Sequence, residues 1–167
     1  KNIYYLSGIL IVLLAVAYLV TSEKGTKTTT YKLAEKVITV DSAKADKLEI
    51  DYRSSRIVLQ KTGGNWNVIQ PVNYPASLVH IGNVLSSLQN YKISSKVSDN
   101  PANKDRFGFN DTNYIKVTVY QDNNLLGSIL IGKEGPGAGQ TYIKKTDGNE
   151  VFLADDFIYT NVFKSDL

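Results

Sequence analysis

The sequence predicts an α+β protein with one N-terminal transmembrane helix, then a mostly antiparallel β-sheet domain with one amphipathic helix on a face and a short C-terminal helix. Three observations support this prediction. Residues 3–20 contain no charged side chain. Short runs rich in Val, Ile, Tyr and Thr recur between turn residues, as in antiparallel strands. One later segment, residues 75–89, has apolar side chains at helical spacing. These patterns divide the chain into an anchor (1–22), a juxtamembrane linker (23–36) and a soluble domain (37–167).

The predicted anchor is the apolar stretch from Ile3 to Val20, IYYLSGILIVLLAVAYLV. About 18 residues of helix span roughly 27 Å, close to the ~30 Å hydrocarbon core of a bilayer. A cleaved secretory signal is the alternative, because Ala15–Ala17 would suit a peptidase. The apolar run continues through Val20, which favours an uncleaved anchor. Because an encoded chain starts with Met and this sequence has none, we expect residues before Lys1.

Basic residues near the anchor bear on which side of the membrane holds the domain. Several lysines follow the span, among them Lys24 and Lys27, and only Lys1 precedes it. A simple count by the positive-inside rule would place the domain in the cytoplasm. The rule loses force where a long domain follows, and the N-terminus is expected to be incomplete. We expect a single-pass protein of the bacterial inner membrane with its soluble domain in the periplasm.

The first half of the domain is predicted to be a meander of short strands with alternating or continuous apolar residues. The turn signal Thr62–Asn65 joins the last two strands as a hairpin, and Pro71 ends the final strand. The predicted strands are Val37–Val40, Lys47–Tyr52, Arg56–Lys61 and Trp66–Ile69.

The predicted amphipathic helix runs from Pro75 to Gln89, because proline fits the first helical turn. A strand at Tyr91–Val97 and a long polar loop at Ser98–Asp111, pinned by Phe107 and Phe109, follow it. The apolar stripe of the helix predicts packing on a sheet. This stripe consists of Leu78, Ile81, Leu85 and Leu88.

The second half is predicted to be another meander with tight turns. Turns are indicated at Asp122–Asn124 and Thr146–Asn149, and a glycine-rich connection spans Gly132–Gly139. The tail Asp155–Leu167 predicts a short closing helix that Asp155 and Asp156 would cap. The predicted strands are Tyr114–Tyr120, Leu125–Ile131, Thr141–Lys145 and Val151–Leu153. The apolar residues of the closing helix are Phe157, Ile158, Val162 and Phe163.

No set of side chains in the sequence forms a recognisable catalytic or metal site. His80 is the single histidine and there is no cysteine, so a zinc site is not expected. Gly127–Lys133 matches the first part of a phosphate-binding loop, but Glu134 stands where Ser or Thr would hold magnesium. The net charge of +3 gives no basic face for nucleic acid. We therefore expect no enzyme activity, no metal, no cofactor and no nucleic-acid partner.

Two places in the chain are expected to contact partners. Small residues in the anchor allow close approach of another membrane helix. The glycine-rich connection precedes a strand rather than a helix, so it offers no helix N-terminus to phosphate and is instead a candidate contact surface. The interaction residues are Ser7 and Gly8 in the anchor, and Gly135, Pro136, Gly137 and Gly139 in the connection.

The order of several short motifs resembles a known family. The motifs are Gly-Gly-x-Trp at Gly63–Trp66, Pro-Ala at Pro75, Phe-Gly-Phe at Phe107–Phe109, and Ile-Gly at Ile131–Gly132 leading to Thr141 and Tyr142. Over residues 47–167 the chain is similar to a bacterial family of membrane-anchored domains of unknown function, numbered four-three-four-zero. Members of this family often occur beside gliding-motility-type ABC transporter auxiliary proteins. The resemblance implies an extracytoplasmic domain tethered by one span, with no established activity.

The function expected from these observations is that of a non-enzymatic accessory subunit of a larger membrane protein complex, whose domain serves interaction and assembly. Its partners would be the lipid bilayer and other membrane subunits, of an ABC-type transporter or of a respiratory or photosynthetic complex. The main alternative is a glycan- or peptide-binding module associated with an ABC-type transporter, using the loops Ser98–Asp111 and Gly132–Gly139. A hydrolase using Asp99, Asp105 or His80 has least support, since it needs two titratable groups within about 10 Å.

Overall fold

The computed structural model describes residues 3–23, 36–110 and 113–162. It divides into two compact units, one containing the helix α1 (Ile3–Glu23) and the other the described residues from Lys36 onward. By the length and hydropathy that a membrane span requires, none of the helices formed by the described residues qualifies.

The second unit is built on one mostly regular sheet in which every strand pairing is antiparallel. The strands lie in the order β4-β3-β2-β1-β6-β7-β8-β9-β5, so the prediction of a mostly antiparallel sheet is confirmed. Their bounds are β1 (Lys47–Tyr52), β2 (Ser55–Thr62), β3 (Asn65–Gln70), β4 (Tyr74–Pro75), β5 (Lys92–Ser98), β6 (Ile115–Gln121), β7 (Asn124–Glu134), β8 (Gln140–Lys145) and β9 (Val151–Asp155).

Two-residue turns connect neighbouring strands where the sequence predicted them. Gly63 and Gly64 have φ of +59° and +88° between β2 and β3. Asp122 and Asn123 have φ of +49° and +65° between β6 and β7. Two successive positive φ values match the twist of an antiparallel hairpin, and Gly, Asp and Asn are the residues that adopt them at least cost. Local sequence therefore determines these two hairpins.

The pairing of β1 with β6 joins the two meanders into one sheet. Leu48 lies opposite Val119 and Ile50 lies opposite Val117. Leu48, Val117 and Val119 are completely buried on the face that the helices cover. This face carries the hydrophobic core of the unit.

The helix α2 (Leu78–Asn90) covers that face with Ile81, Val84, Leu85 and Leu88, as its apolar stripe predicted. Leu78, the first residue of the stripe, is instead 60% exposed. The predicted start at Pro75 was wrong. Pro75 pairs with Asn67 of β3, and the Ala76 amide donates to the Trp66 carbonyl at 3.0 Å, so the chain stays in the sheet until Ser77.

The predicted strand at Val37–Val40 was also wrong, because this segment pairs with none of the described strands. Val37 and Val40 are nevertheless buried. The side chain of Tyr91 takes the place of a neighbouring strand: the Ile38 amide donates to the Tyr91 hydroxyl at 2.8 Å, and that hydroxyl donates to the Ile38 carbonyl at 3.0 Å. Burial raises the pKa of Tyr91 to about 12, so the hydroxyl stays protonated and able to donate.

Two short helices complete the unit. A 3₁₀ helix (Pro101–Phe107) occupies half of the predicted polar loop, and the Asn100 side chain accepts from the Ala102 amide at 2.9 Å at its start. The closing helix is confirmed as α3 (Ile158–Val162), with Ile158 and Val162 buried. Phe163–Leu167, the rest of the predicted tail, and Asp111, at the end of the predicted loop, lie outside the described residues.

Replacing Tyr91 by Phe tests the hydroxyl that holds the Ile38 backbone. We expect Tyr91→Phe to lower the free energy of unfolding by about 1–3 kcal/mol, because a partly buried amide and a partly buried carbonyl lose their partner. The emission of Trp66, the single and buried tryptophan, reports unfolding in urea. The control Tyr74→Phe removes a hydroxyl from a partly exposed ring and should change stability by less than about 0.5 kcal/mol. Equal effects of the two changes would contradict this role for Tyr91.

Candidate interaction surface

The loop Gly135–Gly139, here called the glycine loop, joins β7 to β8. It is shorter than the predicted connection, because β7 continues through Glu134. The Gly135 amide donates to the Gln140 carbonyl at 2.7 Å, and the Gln140 amide donates to the Gly137 carbonyl at 3.1 Å. These bonds close the loop on itself, so its backbone has one defined course.

The side chain of Gln140 links the glycine loop to the neighbouring strand. Its Oε1 accepts from the Gly137 amide at 3.0 Å, and its Nε2 donates to Oδ1 of Asp155 at 3.0 Å. Asp155 is the last residue of β9, so the loop is fixed to the sheet by a side chain as well as by its own backbone.

Phe157 lies across the loop at Gly139. The φ of Gly139 is +73°, and a Cβ atom there would lie 2.9 Å from two carbons of the Phe157 ring. Only glycine fits this close approach without strain. The Phe157 side chain is 58% exposed, so one part of the ring contacts the loop and the rest faces solvent. An exposed aromatic ring on a fixed backbone is typical of a contact anchor.

A hydrogen-bond network beneath the loop positions the segment that carries Phe157. Ser87 of α2 donates through Oγ to Oδ1 of Asp156 at 2.7 Å, and Asn161 of α3 donates to the same Ser87 Oγ at 2.7 Å. Thr141 of β8 donates to the Asp156 carbonyl at 3.1 Å. Asp156 therefore connects α2 with β8. Asp155 and Asp156 were predicted to cap the closing helix, but their side chains bond instead to Gln140 of β8 and Ser87 of α2.

The structure brings together one of the two predicted sets of interaction residues. Gly135, Pro136, Gly137 and Gly139 all lie in the glycine loop. Ser7 and Gly8 lie in α1, which belongs to the other unit; Gly8 is exposed and has open space where a Cβ would lie. Sequence reasoning missed Gln140, Asp155 and Phe157 as parts of this surface. It assigned Phe157 to the apolar side of the closing helix, whereas α3 begins one residue later.

A charged cluster lies on the face of the sheet opposite the helices. Its centre is the buried Glu49, whose carboxylate accepts from Lys47 at 2.7 Å, from Arg56 at 2.8 Å and from the Tyr120 hydroxyl at 3.2 Å. Burial raises the pKa of Glu49, but the hydrogen bond from Lys47 and the charges of Lys47 and Arg56 outweigh it and bring that pKa below its usual value. Burial and the Glu49 charge raise the pKa of Tyr120. Lys47, Arg56 and Tyr120 thus stabilise the charged form of the buried Glu49 carboxylate, and the cluster has a structural role.

The titratable residues considered from the sequence are distributed over separate elements. His80 lies in α2, the helix that covers the core face of the sheet, and is itself partly exposed. Asp105 lies in the 3₁₀ helix, whose Phe107 ring contacts Tyr142 on the opposite face, 4.9 Å between centroids. Asp99 accepts from Lys96 at 3.2 Å. Over the part of the chain that the structure describes, no group of three or more His, Cys, Asp or Glu residues could hold a metal ion.

The fold and this surface define an antiparallel sheet domain that presents a fixed loop and an aromatic ring. Residues 66–163 match the family described as a domain of unknown function (DUF4340), and the match covers more than half of the chain. The chain therefore belongs to that family, as the resemblance predicted. No curated protein and no solved structure matches it.

Two of the motifs that carried the resemblance are in contact. A Cβ on Gly132 would lie 2.1 Å from the Phe107 carbonyl oxygen, and a Cβ on Gly108 would lie 2.7 Å from the Lys133 amide nitrogen. The Phe-Gly-Phe segment therefore packs directly on the backbone of β7. This close packing explains why both motifs require glycine.

The contact between Gly139 and Phe157 can be tested by a double-mutant cycle. We expect Gly139→Ala to cost about 1–3 kcal/mol of unfolding free energy, because Cβ meets both a positive φ and the ring. Adding Phe157→Ala removes the ring, so the double variant should be less destabilised than the sum by about 1 kcal/mol.

The matched control for this cycle is Gly148→Ala. Its new Cβ would lie 3.5 Å from Cβ of Lys145, an ordinary contact, so we expect a change below about 0.5 kcal/mol. Urea unfolding followed by Trp66 emission measures all four variants. Additivity of Gly139→Ala and Phe157→Ala would show that the ring does not rest on the loop.

Proposed function

We propose that this chain is a non-enzymatic single-span accessory subunit of a larger membrane protein complex. Its extracytoplasmic domain serves as a protein-interaction and assembly module. The observation that carries the proposal is the exposed Phe157 ring on the hydrogen-bonded glycine loop. A ring held in this way loses little conformational freedom on contact with a partner, which favours its use as an anchor.

The membrane anchor in this proposal rests on the uncharged sequence of residues 3–20 and on the side chains of α1. Burying one large aliphatic side chain stabilises a protein by about 1.5–3 kcal/mol, so a row of exposed ones favours lipid or other membrane helices as surroundings. The exposed aliphatic side chains of α1 include Leu10, Ile11, Val12, Leu13, Leu14 and Val16.

The proposed location is the bacterial inner membrane, with the domain on the periplasmic side. The proposed partners are subunits of an ABC-type transporter, since relatives are expected beside such proteins. Subunits of a respiratory or photosynthetic complex are the other candidates. The domain-of-unknown-function family brings no activity to this chain, so the proposal assigns no catalytic residue.

A second candidate function is capture of a glycan or peptide at the same surface. The exposed part of the Phe157 ring favours this alternative, because a flat aromatic face can stack on a sugar ring as well as on a protein side chain. In that case the loop would bind a small ligand for the transporter rather than another subunit.

Site-specific photo-crosslinking in native membranes tests the proposal. A photoreactive residue at the exposed Ala138 of the glycine loop should give an adduct with another membrane polypeptide. The same residue at the exposed Asn149, in the β8–β9 turn, is the matched control and should give none. Phe157→Ala should lower the Ala138 adduct by roughly tenfold, as expected for loss of an aromatic anchor.

The outcomes separate the two candidates. A protein adduct at Ala138 alone supports the interaction module, and an adduct only with a glycan or short peptide supports the ligand-binding alternative. Adducts of equal yield at Ala138 and Asn149, or a monomer that purifies in mild detergent without other polypeptides, would defeat the proposal.

A further inference from the structure

One continuous stretch of the chain carries no formal charge. Residues 62–91 contain no Asp, Glu, Lys or Arg, although such residues make up 21% of the sequence. This stretch includes β3, β4 and α2. Charged residues normally make an exposed protein surface soluble, so their absence from a stretch of 30 residues requires an explanation.

The uncharged stretch is not simply buried. Five of the eight large apolar side chains that are exposed outside α1, among the described residues, fall between residues 69 and 79. Val79 is 69% exposed and Leu78 is 60% exposed. The five are Ile69, Val72, Tyr74, Leu78 and Val79. Five exposed apolar side chains within eleven residues are candidates for one contact surface.

The outward face of α2 begins at Val79, the last of these five side chains. Val79, Gly82, Asn83 and Ser86 are all exposed and follow one another at i, i+3, i+4 and i+7, along one side of the helix. We call these four residues the α2 seam. Every one of them is small or of moderate size, so a second helix could approach the backbone closely.

Gly82 is the least expected member of the seam. Glycine inside a helix costs about 1 kcal/mol relative to alanine. A Cβ at Gly82 would meet nothing within 4 Å, so packing within this chain does not require glycine there. A close contact with a helix from outside the chain gives the glycine a physical reason.

We propose that the α2 seam binds the α2 seam of a second copy of this chain about a two-fold axis. In such an interface residues near the axis face their own copies, so any charged side chain there would meet a like charge. The uncharged stretch meets this requirement, because the whole seam lies within it. A membrane surface is the poorer occupant, because helices that lie on anionic lipid carry Lys or Arg.

The α2 seam alone is too small for a stable dimer interface, so the exposed apolar side chains that precede it must also be buried. A helix of 13 residues is about 20 Å long and ~10 Å wide. The area of one of its sides is therefore smaller than the ~800 Å² that each partner buries in a stable interface. Val72, Tyr74 and Leu78 precede the seam in sequence and would supply additional contact area. The surface is distinct from the glycine loop, so this inference goes beyond the proposed function and does not depend on it.

Cysteine crosslinking in the full chain tests the proposal directly. The chain has no cysteine, so single-cysteine variants give disulfide dimers without background. We expect Asn83→Cys, oxidised in mild detergent, to form at least about ten times more dimer than the control Gln60→Cys. Gln60 is exposed on the strand β2, away from α2. Dimers held only through α1 would crosslink both variants alike, and that result would overturn the proposal.

A charge-pairing experiment tests the two-fold arrangement. Asn83→Lys and Asn83→Glu should each reduce dimer formation by roughly tenfold, because Asn83 lies in the middle of the seam, where two like charges face each other across the axis. An equal mixture of the two variants should recover most of the dimer. Unchanged Trp66 emission would show that both variants fold, as expected for an exposed position. Loss of dimer without recovery in the mixture would overturn the two-fold arrangement, as would a monomer in every case.

Discussion

The pairing of β1 with β6 is the contact on which the rest of the second unit depends. It aligns Lys47–Tyr52 with Ile115–Tyr120 across more than sixty residues of chain, and among the described strands it is the one pairing that joins the two meanders. With this pairing, both meanders present their apolar faces to α2 and α3 and share one core. Without it, each meander would retain an open edge and half of a core, which is seldom stable in water.

Strands, turns and the stripe of α2 could be predicted because each is determined locally. Gly63–Gly64 and Asp122–Asn123 adopt the positive φ values of their hairpins by residue type alone. The errors came where distant contacts override local pattern. Val37–Val40 consists of β-branched residues typical of a strand, but its backbone bonds to the Tyr91 side chain. Pro75 suits a helix start, yet the backbone of β3 holds it in the sheet. Neither Tyr91 nor β3 can be recognised as a partner from the sequence of the segment that it contacts.

In the candidate surface, too, local features could be predicted and contacts between distant residues could not. The glycine loop could be recognised from composition, and its residues do lie together. Phe157 and Gln140 could not be assigned to it, because their roles depend on how β8, β9 and α3 are stacked. The uncharged stretch that contains α2 is evident in the sequence, but its use as a contact surface can be inferred only once the exposed side of α2 is known. The family is one of unknown function, so a partner has to be identified from such surfaces.

Native-state hydrogen exchange of the full chain tests the central claim, that one joint unites the domain. Amides of β1 and β6 that bond across the joint should exchange only by global unfolding, at free energies within about 1 kcal/mol of the value from urea. The amides of β7 and β8 should share that free energy. The contradictory result would be β1 and β2 opening several kcal/mol below β7 and β8, which would show two meanders that fold separately.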